Sequence, residues 1–502
     1  MISKNLTSLE LNSDVAVIGS GPVGLYLSLL LAKRGFRVVI IEAGGLGIES
    51  SHLNQTKYLF NTPSSLPKNA HMFGGGGNLW FRRIGEFLKR DFLPVSGVRE
   101  ECWPIEFDQL SVYASEVFQY FTGSPLRDSE IEEKYVSEAG LELPSIFSLR
   151  VHRSFPVESM LRLKDEVMNS PNIHILCNTY CAYIEPLANL NGSDTHALAV
   201  INESGQTSKI YANKVVVSAG ALQSVALLER SISIVNPQSK AVLGKYLMEH
   251  LEGFVGFLDF KFEESRDKFL DQFSPRYLVD SAEGLVGAGL SFQPEILDKL
   301  KLSTFHLEFY GERIYPIIED WDFLFLRKIG FAKIFDLINR LNGLLYKGFV
   351  RFRKSRYRIS VWIKAEEIPF SHSKTSFGSK SNQVIYEHIV SRHSASLMRK
   401  NLKEISPGLE EFSGGKFRIR PRIRIFNRWL KMRPNWHPSG SLRMGVNSKT
   451  SVCNENFEVW GTSGVHILNS GIFPTGSNAN PVFMSWLLAH RLADYLKKST
   501  FS

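Results

Sequence analysis

The chain has 502 residues, of which 43% are hydrophobic and 22% charged, values that exclude a disordered tail or a fibre and fit a packed globular protein. Its length allows two or three core-forming units and the enclosure of a large cofactor. The net charge of +9 comes from 59 Lys and Arg against 50 Asp and Glu. Four cysteines, Cys102, Cys177, Cys181 and Cys453, exclude a disulfide framework. The Cys177/Cys181 spacing lacks the second close pair that a zinc site needs, so no metal is expected.

Residues Met1 to Ser8 lack a basic leader followed by an apolar run, so no export signal is expected and the location expected is cytoplasmic. The longest apolar run, Leu25 to Ala32, is shorter than the ~20 residues that cross a bilayer. The basicity is local: Arg327 to Arg358 holds ten Lys and Arg against one acid, Asp336. There Ile334, Phe335, Ile338, Leu341 and Leu345 share a helical face. Such a segment suits a helix packed on its own domain with a solvated basic side, and it also suits peripheral contact with the inner face of an anionic membrane. The first is favoured. Nucleic acid is excluded as a partner because no binding motif accompanies the charge.

Taken in chain order, Asp14 to Ile18 reads as a strand, followed by the turn Gly19-Ser20-Gly21-Pro22-Val23-Gly24, a helix to about Arg34, and a second strand, Arg37 to Ile41, ending at Glu42 and Ala43. This is a βαβ opening with a G-x-G-x-x-G turn. Its glycines permit a tight turn and close approach of a pyrophosphate, the helix N-terminus offers N–H donors, and Glu42 is placed to accept from ribose hydroxyls. The turn alone does not separate FAD from NAD. Pro63 to Pro67 and Gly74 to Gly77 mark loops. Asn172 to Leu176 and Val215 to Val217 read as returning strands of the same sheet, the latter leading through Ala219 and Gly220 into a helix from about Leu222. Val465 to Leu468 reads as a strand, and Pro481 to Leu496 as the closing helix. The stretch 251–425 has mixed strand and helix character and should form a second domain over the cofactor.

Further along, Gly75-Gly76-Gly77-Asn78-Leu79-Trp80, Trp103-Pro104-Ile105, Val216 to Leu222, Leu243 to His250, His437-Pro438-Ser439-Gly440-Ser441-Leu442-Arg443-Met444-Gly445, Phe473-Pro474-Thr475 and Asn480-Pro481 follow one another in an ordered set. From Asp14 to Leu496 this order resembles the glucose-methanol-choline oxidoreductases, in particular their bacterial sugar-dehydrogenase and pyranose-oxidase-like branch. The resemblance implies an α/β fold: a discontinuous Rossmann-like FAD-binding domain over 1–110, 165–250 and 430–502, and a second, sheet-containing α+β substrate domain over 111–164 and 251–429. It implies FAD at Gly19, Gly21, Pro22, Val23, Gly24, Glu42 and Ala43, with Gly76, Gly77, Asn78 and Trp80 of the glycine-rich loop. Ala219, Gly220, Asn469, Ser470, Asn480 and Pro481 complete that set. Some relatives attach FAD through a His in the loop; that position is Leu79 here, so FAD is expected noncovalently. The acid usual after the last strand is Asn469, which alters one flavin-side hydrogen bond.

The resemblance also implies the chemistry. His437 takes the hydroxyl proton of an alcohol as hydride leaves carbon for flavin N5, and Asn480 hydrogen-bonds the same oxygen. The helix dipole beginning at Pro481 would stabilise negative charge on the flavin. Taken singly, a His before Pro is an ordinary turn residue, and Asn480-Pro481 an ordinary helix start; only the ordered set gives them catalytic meaning. Glu249 and His250 read as structural, and Arg443 as an internal ion-pair or hydrogen-bond donor. The expected substrate is a sugar, polyol or glycosylated intermediate. The alternatives are a peripheral membrane, quinone-linked dehydrogenase of a lipid-like alcohol and a flavin-binding scaffold without turnover. The electron acceptor (oxygen, quinone or a redox protein) is left open.

Overall fold

The computed structural model describes residues 2–3, 12–46, 57–60, 71–78, 83–186, 195–273, 280–281, 284–311, 357–378, 383–419, 433–434 and 437–501. Leu79, Trp80, the Pro63–Pro67 loop and all but the last two residues of the basic 327–358 segment lie outside them.

The glycine turn stands where the sequence puts it, between strand β1 (Asn12–Ile18) and helix α1 (Pro22–Lys33), with strand β2 (Val38–Ile41) returning in parallel. The Val15–Ile18 part of β1 and all of β2 are apolar, as strands covered on both faces must be. Strand β3 (Thr207–Val217) joins three neighbours. It runs parallel to β1, its first half pairs antiparallel with His196–Asn202, and its last three residues pair parallel with Val465–Ile467. Ile173–Leu176 and Thr179–Pro186 extend the sheet on opposite sides. Helix α2 (Gly220–Arg230) follows β3, and helix α3 (Pro481–Phe501) closes the chain against α1.

The core of this body draws on residues up to Leu243 and again from Leu442 onward, including Val17, Leu27, Ile40, Val216, Ile467, Phe483 and Leu488. Within the stretch 111–164 expected for the second domain, helix Ala114–Thr122 and the start of helix Val157–Asn169 also pack here: Phe118 stacks on Phe483 with ring centres 4.1 Å apart, and Phe121 stacks on Trp486 at 3.5 Å.

The second body is an antiparallel sheet ordered Lys416–Ile419, β4 (Leu251–Asp259), β6 (Arg358–Ala365), β5 (Phe305–Gly311), Gly284–Phe292, Phe147–Ser154 and Arg83–Ile84. Period-2 alternation sorts its residues. Leu251, Val255, Leu258, Leu307, Phe309, Ile359, Val361 and Ile363 form an apolar face, packed with Phe269, Phe273, Met398, Leu402 and Ile405 from helices Glu263–Phe273 and Arg392–Ser413. Each buried side chain of this size contributes roughly 1.5–3 kcal/mol. The opposite face carries Glu252 and Phe254 on β4, His306, Glu308 and Tyr310 on β5, and Ser360, Trp362 and Lys364 on β6. The register aligns them: Glu252 and His306 flank Lys364, and Phe254 and Glu308 flank Trp362. A bulge between Phe254 and Gly256 rephases β4, so that Phe257 joins the same face opposite Ser360.

The loop before α3 lies on this polar face. Asp91 ties it down: its carbonyl accepts from Thr475 Oγ1 at 2.7 Å, and its carboxylate accepts from Ser477 Oγ at 2.7 Å and Thr304 Oγ1 at 2.8 Å. Trp103 Nε1 donates to the same Thr475 hydroxyl at 2.7 Å, which joins the Trp-Pro-Ile and Phe-Pro-Thr segments.

Candidate active site

Two places carry the residues singled out by sequence. At the first, the glycine-rich segments converge. Gly19 has φ +101°, and a Cβ there would sit 2.7 Å from the Ser218 carbonyl; a Cβ on Gly24 would sit 2.1 Å from the Gly19 carbonyl. Both positions therefore need glycine for the protein's own packing. Gly21, Gly76 and Gly220 differ: a Cβ on any of them would meet nothing within 4 Å. Gly75 lies against Gly21, and Ala219 lies against Gly19, so the three turns share one rim. Helix α1 begins after Gly21 with no side-chain cap, which leaves its first N–H groups for an anion. Pro22 and Val23 open the helix.

Glu42 is buried at the end of β2 and accepts from Ser20 N at 3.0 Å, Ser20 Oγ at 2.6 Å and Gly44 N at 2.7 Å. Burial raises its pKa and these bonds lower it, with burial prevailing. A carboxylate accepts about four bonds, so it holds the turn and keeps capacity for a ligand hydroxyl. Asn78 braces the glycine loop through Nδ2 to the Phe73 and Gly75 carbonyls. Open glycine faces, an uncapped helix start and an acid at the second strand end fit a dinucleotide.

The second place lies between the polar face of the second sheet and the loops of the first body. His437 is held by its backbone, whose N–H donates to Glu249 Oε2 at 2.7 Å. Glu249 also accepts from Tyr386 OH at 2.8 Å. Met248 and Ser439 exchange backbone bonds at 2.9 and 3.0 Å, and Ser470 Oγ donates to the Pro438 carbonyl at 2.7 Å. Gly440 makes the corner with φ +81°, where a Cβ would come 2.4 Å from the Tyr246 carbonyl. Asn469 spends its amide on the protein, accepting from Gly471 N at 2.8 Å and donating to Ser224 Oγ at 3.0 Å. Ser470 and Asn469 thus brace the loop that carries His437. Arg443, expected as an internal donor, lies over the Tyr246 ring at 4.4 Å, with Glu101 4.0 Å away.

Asn480 stands at the start of α3. Its Nδ2 donates to the Arg83 carbonyl at 2.9 Å and its Oδ1 accepts from Lys364 Nζ. The His250 and His437 rings lie 5.0 Å apart, and the Nδ1 atoms of both are buried without a hydrogen-bond partner among the described residues. Burial, with the Lys364 charge second, brings the His437 pKa down to about 3, and the same two causes hold that of His250 well below the usual range. Beside them, Asn478 Nδ2 and His306 Nδ1 are 2.9 Å apart, and Glu308 pairs with Arg83 at 3.1 Å. Lys364 thus links the two residues singled out for catalysis, through a hydrogen bond to Asn480 and a through-space charge on His437. Lys364, Glu249 and His250 are the contributors sequence reasoning missed or read as structural. Among the described residues no group of three His, Cys, Asp or Glu is arranged to hold a metal, and no helix is long and apolar enough to cross a membrane.

Fold and site together define an FAD-binding protein with a dinucleotide body and a second, antiparallel-sheet body. Residues 12–47 match the FAD binding domain and residues 385–489 match the GMC oxidoreductase model. Over residues 385–489 the chain is thus similar to the glucose-methanol-choline oxidoreductases. It is 32% identical over 65 residues to 2-methyl-1,2-propanediol dehydrogenase of Mycolicibacterium austroafricanum, a match covering 13% of this chain and 12% of that enzyme. Its fold is similar to pyridoxine 4-oxidase from Mesorbium loti (16% identity, TM-score 0.56, covering 96% of this chain and 98% of that one). Formate oxidase (15%, 0.59, covering 99% and 100%) and a fungal aryl-alcohol oxidase (12%, 0.57, covering 98% and 100%) share the fold as well.

Proposed function

We propose that the chain is an oxidoreductase that holds FAD noncovalently and oxidises a CH–OH group of a sugar, polyol or glycosylated intermediate. The observation that carries this reading is the meeting of His437, Asn480 and the second sheet's polar face at one buried place. Bound FAD, held by the Gly19–Gly24 turn, Glu42, the 76–78 loop and Ala219-Gly220, supplies the acceptor for the hydride and its two electrons.

Burial, with the Lys364 charge second, disfavours the charged form of His437 and so favours the neutral imidazole. It can therefore take the hydroxyl proton on a ring nitrogen. A base so placed contributes about 10²–10⁴ in rate. Asn480 keeps one Nδ2 N–H beyond the bond to the Arg83 carbonyl and uses it to hold the substrate oxygen. The flat faces of Phe254 and Trp362, interleaved with Glu252, Ser360 and Tyr310, suit a substrate with several hydroxyls.

The test is the visible spectrum of the purified protein, followed by anaerobic addition of sugars, polyols and apolar alcohols. Bleaching by sugars or polyols supports the reading, whereas bleaching by apolar alcohols alone overturns the substrate class. Air or quinone then identifies the electron acceptor. His437→Ala should keep its yellow colour and lose reduction by substrate at least about 10²-fold; unchanged reduction kinetics in that variant would remove the base assignment.

A further inference from the structure

Lys364 is an unusual residue to find where it is. It lies in the middle of the second sheet, 6% exposed, in a row with Glu252 on one side and His306 on the other. A lysine taken out of water is costly unless it is paired. It donates a hydrogen bond to the Asn480 side chain; burial lowers its pKa, Glu252 and Glu308 act against that, and Arg83 adds to it.

That choice of partner has a geometric result. An ammonium only donates and a backbone carbonyl only accepts. With Lys364 at one end of the Asn480 amide and the Arg83 carbonyl at the other, the amide has one orientation, because the flipped amide would lose both bonds. The cation's charge also acts on two imidazoles whose Nδ1 atoms have no protein partner among the described residues.

We propose that Lys364 is a positioning residue of this site: it fixes the Asn480 amide so that an Nδ2 N–H remains for the substrate oxygen, and its positive charge acts on His437 while favouring negative charge on that oxygen. This rests on the proposed reading of the site as one that oxidises an alcohol. The step concerned is a single proton transfer. The O–H bond breaks, its electron pair stays on oxygen, and the proton joins a ring nitrogen of neutral His437. A nearby ammonium stabilises the oxygen so formed and sets the pH below which the base is already occupied. The groups facing this pair are Glu252 from β4, His306 and Glu308 from β5, Arg83 from its short strand, and His250 and Glu249 from the segment entering β4. Of these, Lys364 is the cation whose charge bears on both His250 and His437.

The experiment uses FAD-loaded parent, Lys364→Met and Lys364→Gln proteins labelled with ¹⁵N-histidine. The His437 signal is assigned by its absence from His437→Gln, and followed by NMR against pH. The acid limb of anaerobic flavin reduction by a substrate found in the spectral screen is measured alongside. Removal of the charge should move the His437 titration upward by about one unit and move the acid limb with it. Met should slow reduction more than Gln, which retains a donor for Asn480. If Met does not fold, Gln carries the charge test alone. A His437 titration unmoved in every folded variant overturns the proposal. Should His437→Ala retain the acid limb, the base assignment fails instead, while the NMR shift still decides the role of Lys364.

Discussion

At the scale of single residues, Glu249 is a buried acid that holds the His437 backbone and the Tyr386 hydroxyl. Burial raises its pKa to about 7, against the pull of His388, Tyr386 and the His437 N–H. A carboxyl whose folded pKa is raised binds protons more tightly in the native state. Its contribution is therefore full below about 4.5 and declines as pH rises through about 7. Glu249→Gln should flatten that part of the stability curve, read as the difference in urea midpoint between parent and variant across this range. Glu249→Ala leaves the His437 N–H and the Tyr386 hydroxyl without an acceptor, at about 1–3 kcal/mol each. It should lower the melting temperature and slow turnover together. His437 and Asn480 could be singled out in the sequence because they sit in an ordered set of motifs. Glu249 was quoted in one of those motifs and read as structural, since its partners, Tyr386 and His437, are remote in sequence.

At the scale of elements, the glycine turn separates packing from binding. Gly24→Ala drives a methyl group to 2.1 Å from a backbone oxygen and should lower the thermal stability of the FAD-free protein. Gly21→Ala meets no protein atom within 4 Å, and Gly21 has φ −63°. It should melt like the parent without FAD yet hold FAD about tenfold more weakly or worse, roughly 1.4 kcal/mol. Scanning fluorimetry with and without added FAD checks both; a Gly21→Ala protein that binds FAD normally would refute the open-cradle assignment. The βαβ unit was legible because its period, turn and acid all lie within a short stretch. Strand β6 was half legible: Ile359, Val361 and Ile363 alternate with Ser360, Trp362 and Lys364, a pattern that declares a strand with one polar face. Whether that face meets water or another layer is a tertiary fact. The same limit applies to helix Ala114–Thr122, whose apolar stripe announces burial but not against which sheet.

At the scale of the molecule, buried imidazoles and buried carboxyls oppose each other. Burial lowers the pKa values of His466 and His490 to about 4 and that of His437 to about 3. Depressed bases give stability that is complete above about 6.5 and is lost on acidification, by about 1.4 kcal/mol per pH unit per group. Glu132 and Glu249, both raised to about 7, gain on acidification down to about 4.5 and gain nothing below it. Urea midpoints should therefore fall gradually between about 6.5 and 4.5, by the excess of one imidazole over the carboxyls (about 1.4 kcal/mol per pH unit), and more steeply from there to about 4. Midpoints that stay level or rise on acidification from about 6.5 to 4.5 would show that the imidazoles are not buried as described.

The first sheet places β1 and Val465–Ile467 on either side of β3, which has a consequence during synthesis. On the ribosome, the strands at 83–84 through 433–434 that build the second sheet all emerge before residue 465 does. The second sheet can thus consolidate while the first still lacks a strand and helix α3. Cofactor capture is thereby placed among the last events of folding, and a chain cut short near its end should leave a folded second sheet beside an apolar surface with nothing to cover it.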